Sequence, residues 1–179
     1  MKCILVGDQA VGKTTLAALF QTRKYNKNYN PMLDDIMKKT IKHNSHKIQF
    51  NLWDCSNTNL YDLVRPYMYH DTDVVLVCYS VDNKISLNNT GTKWIPEIKK
   101  YLPGIPFILV GLKSDLQFEK DSVTENEAKI VAQRFHAQTN IFSSALNNYN
   151  INLLFSTAIQ ISLNNQTPYT LNYLNADQK

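Results

Sequence analysis

The sequence has few of the features that mark secreted and membrane proteins. Its 179 residues include only three cysteines, and Cys3, Cys55 and Cys78 lie far apart, so we expect reduced thiols and no disulfide framework. No apolar run approaches the roughly 20 residues that a membrane-spanning helix needs. The first residues also lack the charged start and apolar stretch of a signal peptide. These absences predict a soluble, cytoplasmic protein.

Concentrated charge and metal-ligand patterns are also missing. The formal net charge is only +4, and no run of five or more basic residues occurs, which argues against nucleic-acid binding. The four histidines show no paired metal-ligand spacing, so we leave them out of the mechanism. Residues 173–179 contain no Cys-a-a-X prenylation box. We therefore expect either a longer native carboxyl terminus with peripheral membrane association, or a protein without a prenyl anchor.

Short apolar segments alternate with helical patterns, which predicts an α/β fold with a mostly parallel sheet between helices. The strand-like segments are residues 3–6, 36–42, 47–53, 74–79, 105–110 and 141–143. Helical patterns cover residues 86–101, 124–136 and 149–159, and a further helix includes residues 16–20. Thr124, with Glu127 three residues on, predicts a capping box. At this length we expect one domain, residues 1–162, followed by a polar tail at residues 163–179.

The second and third strand-like segments predict a hairpin. They flank a polar His-Asn-Ser-His stretch at residues 43–46, whose residue types suit a turn. Strands joined by a short turn run antiparallel, so one antiparallel edge strand is expected on an otherwise parallel sheet.

The strongest motif is a phosphate-binding loop. Residues 7–14 match G-x-x-x-x-G-K-[ST] and lie between a predicted strand and a predicted helix, where that motif must lie. Its backbone N–H groups point at phosphate oxygens, Lys13 neutralises β- and γ-oxygens, and Thr14 offers a hydroxyl to Mg²⁺. The predicted nucleotide-binding residues of this region are Gln9, Ala10, Val11, Gly12, Lys13, Thr14 and Thr15. The motif alone leaves the base open.

Several segments together resemble the Rho family of Ras-like small GTPases. They are the phosphate loop, Trp53-Asp54, Val64-Arg65-Pro66, the Thr-Asp-Val-Val-Leu-Val-Cys-Tyr-Ser-Val stretch at residues 72–81, and the Lys-Trp-Ile-Pro-Glu-Ile stretch at residues 93–98. The resemblance runs from residue 2 to about residue 159. It implies a three-layer P-loop NTPase fold with a six-stranded sheet and about five helices. Rho proteins usually carry a helical insert after the base motif, whereas only residues 116–123 separate Asp115 from the next predicted helix.

The resemblance implies a guanine site and a Mg²⁺ site. Lys113 would lie along the base, and Asp115 would accept from its ring N–H and amino group, which selects guanine. The remaining base-side positions carried over are Tyr25, Leu116, Ser144, Ala145 and Leu146, and Ala145 would offer its backbone N–H to the guanine oxygen. Thr14 and Asp54 would hold Mg²⁺, so GTP or GDP with Mg²⁺ is the expected cofactor. An ATP-dependent P-loop kinase fits these positions poorly.

The chain departs from the family on the triphosphate side. Gln9 stands where Rho proteins have Gly and would occupy the space of the attacking water and an arginine finger. Thr58 replaces the Gln that orients that water, and Asn57 replaces a Gly whose backbone meets the γ-phosphate. No catalytic residue is therefore assigned. Loss of the water-orienting Gln resembles the Rnd subgroup, which holds GTP without hydrolysing it.

Further departures concern switch I, which includes residues 29–32, and also the base motif and the effector positions. Met32 replaces a Thr that ligates Mg²⁺, and a thioether is a poor ligand for this hard cation. Leu112 replaces an Asn or Thr and so removes a hydrogen bond worth about 1 kcal/mol. Asp34 and Met37 stand where Rho effectors usually meet aromatic side chains, so the standard effector set is not expected to bind.

The sequence thus predicts an atypical Rho-like GTP-binding signalling protein with absent or strongly reduced hydrolysis. It would act through nucleotide-supported binding of effector and regulator proteins of the Rho type. Two alternatives stay open. One is a non-switching interaction module that holds GDP or GTP as a structural cofactor, and the other is a working GTPase with a non-standard catalytic residue.

Overall fold

A computed structural model describes residues 1–25, 36–43, 46–55 and 65–165. A six-stranded sheet runs through this part of the chain in the order β2-β3-β1-β4-β5-β6. The strands are β1 (Lys2–Gly7), β2 (Ile36–His43), β3 (His46–Asp54), β4 (Val74–Ser80), β5 (Phe107–Leu112) and β6 (Thr139–Phe142). All neighbouring pairs are parallel except β2 with β3. The predicted parallel sheet with one antiparallel edge strand is confirmed, while Asn44 and Ser45 of the predicted turn lie outside the described residues.

Continuous apolar runs form the centre of the sheet. Every residue of β4 and β5 is buried, because helices cover both faces of these strands. The predicted strand at residues 105–110 begins two residues late, at Phe107. Pro106 precedes it, and its backbone carbonyl still accepts from the N–H of Val75. Proline lacks the N–H that a strand interior needs, and it is tolerated here because it lies just before the first residue of the strand.

The described helices pack on the two faces of the sheet. They are α1 (Lys13–Thr22), α2 (Arg65–Met68), α3 (Lys84–Asn89), α4 (Ile95–Tyr101), α5 (Glu125–Phe135) and α6 (Ile151–Asn165), with a π turn, Thr90–Trp94, joining α3 to α4. One apolar core lies under α1 and α6, and the second lies under α3, α4 and α5. Counting α3, the π turn and α4 as one continuous helix, the described chain has five helices, which agrees with the approximate number that the resemblance implies.

The π turn is a detail that the sequence pattern does not predict. Residues 86–101 were expected to form a single regular helix. Pro96 lacks an N–H and its ring would crowd the carbonyl of residue 92 in a regular helix. The backbone widens by one residue there, and the N–H of Ile95 donates to the carbonyl of Thr90, five residues earlier. This widening lets the helix continue through the proline.

Helix ends follow the capping signals more closely than the periodicity. Thr124 caps α5 and forms both bonds of the capping box with Glu127, as predicted. The last helix was expected over residues 149–159. It begins later, at Ile151, because Asn150 adopts a left-handed conformation, and it ends later, at Asn165. Residues 166–179 lie outside the described part, so the predicted polar tail stays a prediction.

The three cysteines are all buried and unbridged. Within the described ranges, the helices are too short or too polar to cross a lipid bilayer.

Candidate functional site

The phosphate-binding motif forms the connection between β1 and α1. Gly7, the last residue of β1, has φ +146 and faces Cys78 on the parallel strand β4. A Cβ on Gly7 would lie 2.2 Å from the carbonyl oxygen of Cys78, so the close approach of the two backbones requires glycine. At the other end of the loop, Gly12 has φ +111 and is the N-cap of α1. These two glycines set the turn that presents the start of α1 to a ligand.

The tip of this loop is open to solvent. Gln9 and Ala10 are both exposed, and Ala10 adopts a left-handed conformation with φ 62. That conformation costs a non-glycine residue about 1–2 kcal/mol, so the surrounding loop must hold it in place. Val11 instead turns into the core under α1, which leaves only its backbone for a ligand.

Lys13 is a buried cation at the centre of the loop. Its side chain is only 6% exposed, and its Nζ donates to the backbone carbonyls of Gly7 at 2.8 Å and Asp8 at 2.7 Å. Burial lowers the pKa of Lys13, and nearby acidic groups including Asp54 partly oppose this shift. A buried cation whose hydrogen bonds go to neutral carbonyls is poorly compensated, so an anionic ligand would be favoured beside it.

Thr14 and Asp54 bring two hard oxygen groups together. Asp54 ends β3, in register with Leu5 of β1, and so reaches the start of α1. The Thr14 hydroxyl donates to Asp54 Oδ2 in a short hydrogen bond. Hydroxyl and carboxylate oxygens suit Mg²⁺, which usually takes its other ligands from water and phosphates. The described residues hold no cluster of three or more His, Cys, Asp or Glu side chains positioned to bind a metal ion.

The predicted base-binding residues form a second loop next to the first. A Cβ on Gly12 would lie 3.7 Å from Leu112 Cδ1 and 4.0 Å from Lys113 Cγ, so the phosphate loop contacts the end of β5. Lys113 adopts a left-handed conformation, with φ 58 and ψ 42, and begins a 3₁₀ turn over Ser114–Leu116. The Lys113 Nζ lies 3.5 Å from Asp82 Oδ2.

The loop after β6 fixes the orientation of Asp115. The backbone N–H of Ser114 donates to the Ser143 carbonyl at 3.1 Å, which joins the two loops. The Ser144 hydroxyl donates to Asp115 Oδ1 in a short hydrogen bond and accepts from the backbone N–H of Asn147 at 3.2 Å. Ser144 therefore holds one carboxylate oxygen of Asp115 and leaves the other for a ligand. In this way two segments nearly 30 residues apart meet at one edge of the sheet.

The other predicted positions lie around these loops. Thr15, Leu116 and Ala145 are half-buried, Leu146 is 54% exposed, and Tyr25 is 42% exposed just beyond α1. Leu112 packs in the apolar core. Met37 is also buried in the core, so its side chain offers no surface to an effector. The predicted functional positions Met32, Asp34, Asn57 and Thr58 lie outside the described residues.

Sequence reasoning missed the contacts of Asp8, the second residue of the phosphate motif. Its carboxylate accepts from Asn89 Nδ2 at 2.7 Å and from Trp94 Nε1 at 2.8 Å. These partners are 81 and 86 residues away along the chain. The available signal was the tryptophan of the Trp-x-Pro-Glu-Ile segment, whose indole N–H requires an acceptor when buried.

Comparisons with known proteins agree with this geometry. A model of the Ras family matches residues 2–164, which span every element from β1 to α6. The chain is 37% identical over 161 residues to a Candida albicans (strain WO-1) protein described as a GTP-binding RHO-like protein, covering 89% of this chain and 45% of the relative. It is 34% identical over 167 residues to the Ras-like GTP-binding protein RHO1 of Entamoeba histolytica (strain ATCC 30459 / HM-1:IMSS / ABRM), covering 93% of this chain and 78% of the relative. The chain thus spans less than half the length of the first relative.

Proposed function

Since this chain belongs to the Ras family as a Rho-like small GTP-binding protein, we propose that it holds GTP with Mg²⁺ and hydrolyses it very slowly or not at all. Its activity would then be the nucleotide-supported binding of effector and regulator proteins of the Rho type. The observation that carries nucleotide binding is the buried cation of Lys13, which lies beside the Thr14–Asp54 pair. The observation that carries slow hydrolysis is Gln9 at the exposed tip of the same loop.

The residues present fit a guanine nucleotide. Lys13 and the N–H groups at the start of α1 would hold phosphate oxygens, and Thr14 and Asp54 would hold Mg²⁺. Asp115, oriented by Ser144, would accept hydrogen bonds from guanine, and Lys113 would lie along the base. When bound, Mg²⁺ supplies positive charge beside the phosphate oxygens. An adenine would offer an acceptor where guanine offers donors to Asp115, which disfavours ATP.

Weak hydrolysis follows from the groups that surround the γ-phosphate position. The Gln9 side chain replaces the hydrogen atom of a glycine where a water and an arginine finger need room. In the sequence, Thr58 is too short to orient that water as a glutamine would, and Asn57 adds a Cβ where the backbone must come close. These three changes act on the same step, and each one slows it.

The experiment that tests this function separates the resident nucleotide from the chemistry. Protein purified in the presence of Mg²⁺ is denatured, and the released nucleotide is identified by chromatography. Co-purified GTP, together with a single-turnover hydrolysis rate far below that of a competent small GTPase, is the expected result. A family-typical rate would contradict the proposal and support a working GTPase with a non-standard catalytic residue.

One observation favours a second function. Met32 and Asn57 replace residues through which the γ-phosphate normally pulls the switch loops inward. Without these groups the protein would distinguish GDP from GTP poorly, and the nucleotide would serve as a structural cofactor of a non-switching interaction module. Co-purified GDP and equal affinities for GDP and GTP would support this second function over the first.

A further inference from the structure

We propose that Asn89 and Trp94 are positioning residues of the phosphate loop, and that Trp94 couples this loop to helix α2. The inference rests on the proposed nucleotide site and deepens it. It concerns the affinity of the loop for a nucleoside diphosphate or triphosphate, and the element of the fold that can change this affinity.

The first step is the anchoring of Asp8. Its two carboxylate oxygens accept separate hydrogen bonds, from Asn89 Nδ2 at 2.7 Å and from Trp94 Nε1 at 2.8 Å. The backbone carbonyl of the same residue accepts from Lys13 Nζ at 2.7 Å. One residue therefore connects the helical segment after β4 to the cation of the phosphate loop. Hydrogen bonds to a charged group are the stronger class, so they fix the loop more firmly than neutral contacts would.

The anchoring also has an electrostatic role. A carboxylate beside a phosphate site repels the ligand, and the repulsion grows as water is excluded. Two N–H donors hold the Asp8 side chain towards the helical segment and offset part of its charge. Asp8 can then shape the loop through its backbone while its side chain stays bound on the helix side.

The second step is the position of Trp94. The indole is 1% exposed and belongs to the π turn that Pro96 imposes. A π turn adds one residue to a helical turn and so rotates the following side chains relative to a regular helix, and such turns are frequent at functional sites. Here the Trp94 ring packs in the apolar core under α3, α4 and α5, while its N–H reaches the phosphate loop and donates to Asp8.

Arg65 connects Trp94 to helix α2. The guanidinium of Arg65, the first residue of α2, lies 4.9 Å from the centroid of the Trp94 ring. Arg65 is itself 2% exposed and donates to both carboxylate oxygens of Glu97, at 2.7 Å and 3.0 Å. The Tyr69 hydroxyl donates to Glu97 as well. A buried, multiply bonded cluster of this kind tolerates little independent movement of its members.

These contacts form a continuous path of described residues. A displacement of α2 would move Arg65 and with it the Trp94 ring. The hydrogen bond from Trp94 Nε1 to the Asp8 carboxylate would then lengthen or break. Any partner that binds and displaces α2 would thereby change the rate at which the phosphate loop releases its ligand. The same path works in reverse, since coupling between two sites is reciprocal.

The test uses Trp94→Phe and Asn89→Ala. Each removes one donor to Asp8, and Phe keeps an aromatic ring for Arg65. With mant-labelled GDP and Mg²⁺ as the probe, we expect each variant to release the nucleotide about ten-fold faster, the effect of one charged hydrogen bond. The control is Ile159→Ala, a buried change on α6 in the other apolar core, which lowers the melting temperature without changing release. Unchanged release from both folded variants would overturn the positioning role.

The coupling to α2 has its own measurement. Arg65→Lys loses the two-oxygen contact with Glu97 and should also speed release of the labelled GDP. Combined with Trp94→Phe, it should add little, because both act through the same indole. Full additivity of the two effects would overturn the coupling. A wild-type protein that binds no labelled GDP would instead overturn the proposed function, and the inference with it.

Trp94 also provides a direct optical readout. The sequence has two tryptophans, so Trp53→Phe leaves Trp94 as the sole indole. Its fluorescence should change when unlabelled GDP and Mg²⁺ are added, and Asp8→Asn should reduce that change. Fluorescence that is insensitive to the nucleotide would contradict a connection between Trp94 and the loop.

Discussion

At the scale of single residues, Lys13 and Asp115 define the two ends of the candidate site. Lys13 provides a buried cation held by carbonyls, and Asp115 provides a carboxylate oriented by Ser144. The Lys13 cation is buried and its hydrogen bonds go to neutral carbonyls, which is the condition under which an anionic ligand contributes most. The two residues therefore offer the simplest test of the proposed guanine site.

We expect Lys13→Ala and Asp115→Ala to lose bound nucleotide and to melt at a lower temperature than the loaded wild type. The physical reason is linkage, because a ligand that binds only the folded state stabilises it by RT ln(1 + [L]/Kd). Nucleotide content and thermal denaturation provide the measurement. Lys120→Ala and Glu119→Ala, at exposed positions, are the matched controls. Full nucleotide content in both site variants would remove the basis of the assignment.

A second prediction at this scale concerns hydrolysis. Gln9→Gly makes room for the attacking water, and Thr58→Gln orients it, so the double variant should hydrolyse GTP faster than either single variant in a single turnover. Groups that act on one transition state are not additive. An arginine finger contributes on the order of 10³ to 10⁵ in rate at a competent site. The double variant should therefore also respond to a Rho-type activating protein.

Two results of that experiment would contradict this account of hydrolysis. If the wild type already hydrolyses GTP at a family-typical rate, the three changes around the γ-phosphate do not matter. If the double variant binds GTP with Mg²⁺ and stays inert, Met32 and Asn57 are the dominant changes, and the steric explanation based on Gln9 is wrong.

At the scale of elements, helix α5 shows how local sequence sets a boundary. Thr124 accepts from the backbone N–H of Glu127, and Glu127 accepts from the backbone N–H of Thr124 and from Lys84 Nζ at 2.8 Å. The hydrogen bonds that the Glu127 carboxylate accepts, that from Lys84 first and those from Thr124 next, lower the pKa of Glu127 to about 2. A depressed carboxyl pKa stabilises the fold above the unfolded value of about 4.5, and this contribution disappears as the pH falls towards 2.

We therefore expect Thr124→Ala to lower the free energy of unfolding by about 1 kcal/mol. Glu127→Gln should cost less, since this side chain is partly exposed and salt screens its pairing with Lys84. Urea denaturation at pH 7 and at pH 2 measures both. The difference between wild type and Glu127→Gln should shrink at the lower pH. A difference that grows on acidification would contradict the assigned sign.

The switch loops provide a prediction that the sequence alone supports. Because Met32 and Asn57 remove groups that normally follow the γ-phosphate, amide exchange across residues 25–37 and 55–69 should differ little between GDP and GTP-analogue complexes. Exchange across the phosphate loop serves as the internal control, since it should respond to nucleotide removal. Strong GTP-dependent protection of both switch ranges would refute this expectation.

Some elements of the fold could be predicted from the sequence, and others could not. Strands β4 and β5 and the cap of α5 were predictable, because burial on both faces and capping leave local signatures. The π turn was not, because Pro96 has two outcomes in a helix, a break or a widened turn, and tertiary packing selects between them. The Asp8 contacts were also out of reach. Residues 8, 89 and 94 become neighbours only once β1 and β4 pair, and no local pattern encodes that distance.

At the scale of the whole molecule, the site joins the two halves of the sheet. The phosphate loop follows β1, Asp54 ends β3, and the base loops follow β5 and β6, so a ligand at this edge would contact segments from both apolar cores. Such a ligand would stabilise the entire fold rather than one element. The melting temperature should therefore rise with each nucleotide that binds the site, and it should rise most with the nucleotide that binds most tightly.

We predict that GDP or GTP with Mg²⁺ raises the melting temperature of nucleotide-free protein strongly, and that ATP does not. At a nucleotide concentration about 1,000 times Kd, linkage gives about 4 kcal/mol. For a chain of this size each kcal/mol corresponds to roughly 2–4 °C, so a rise of about 8–16 °C is expected. Chelating Mg²⁺ should reduce the rise, because Thr14 and Asp54 then hold no cation between them and the phosphates. The control is Asp115→Ala, which should lose the preference for guanine over adenine. Equal stabilisation of the wild type by ATP and GTP would show that Asp115 does not read the base, even if the phosphate loop binds as proposed.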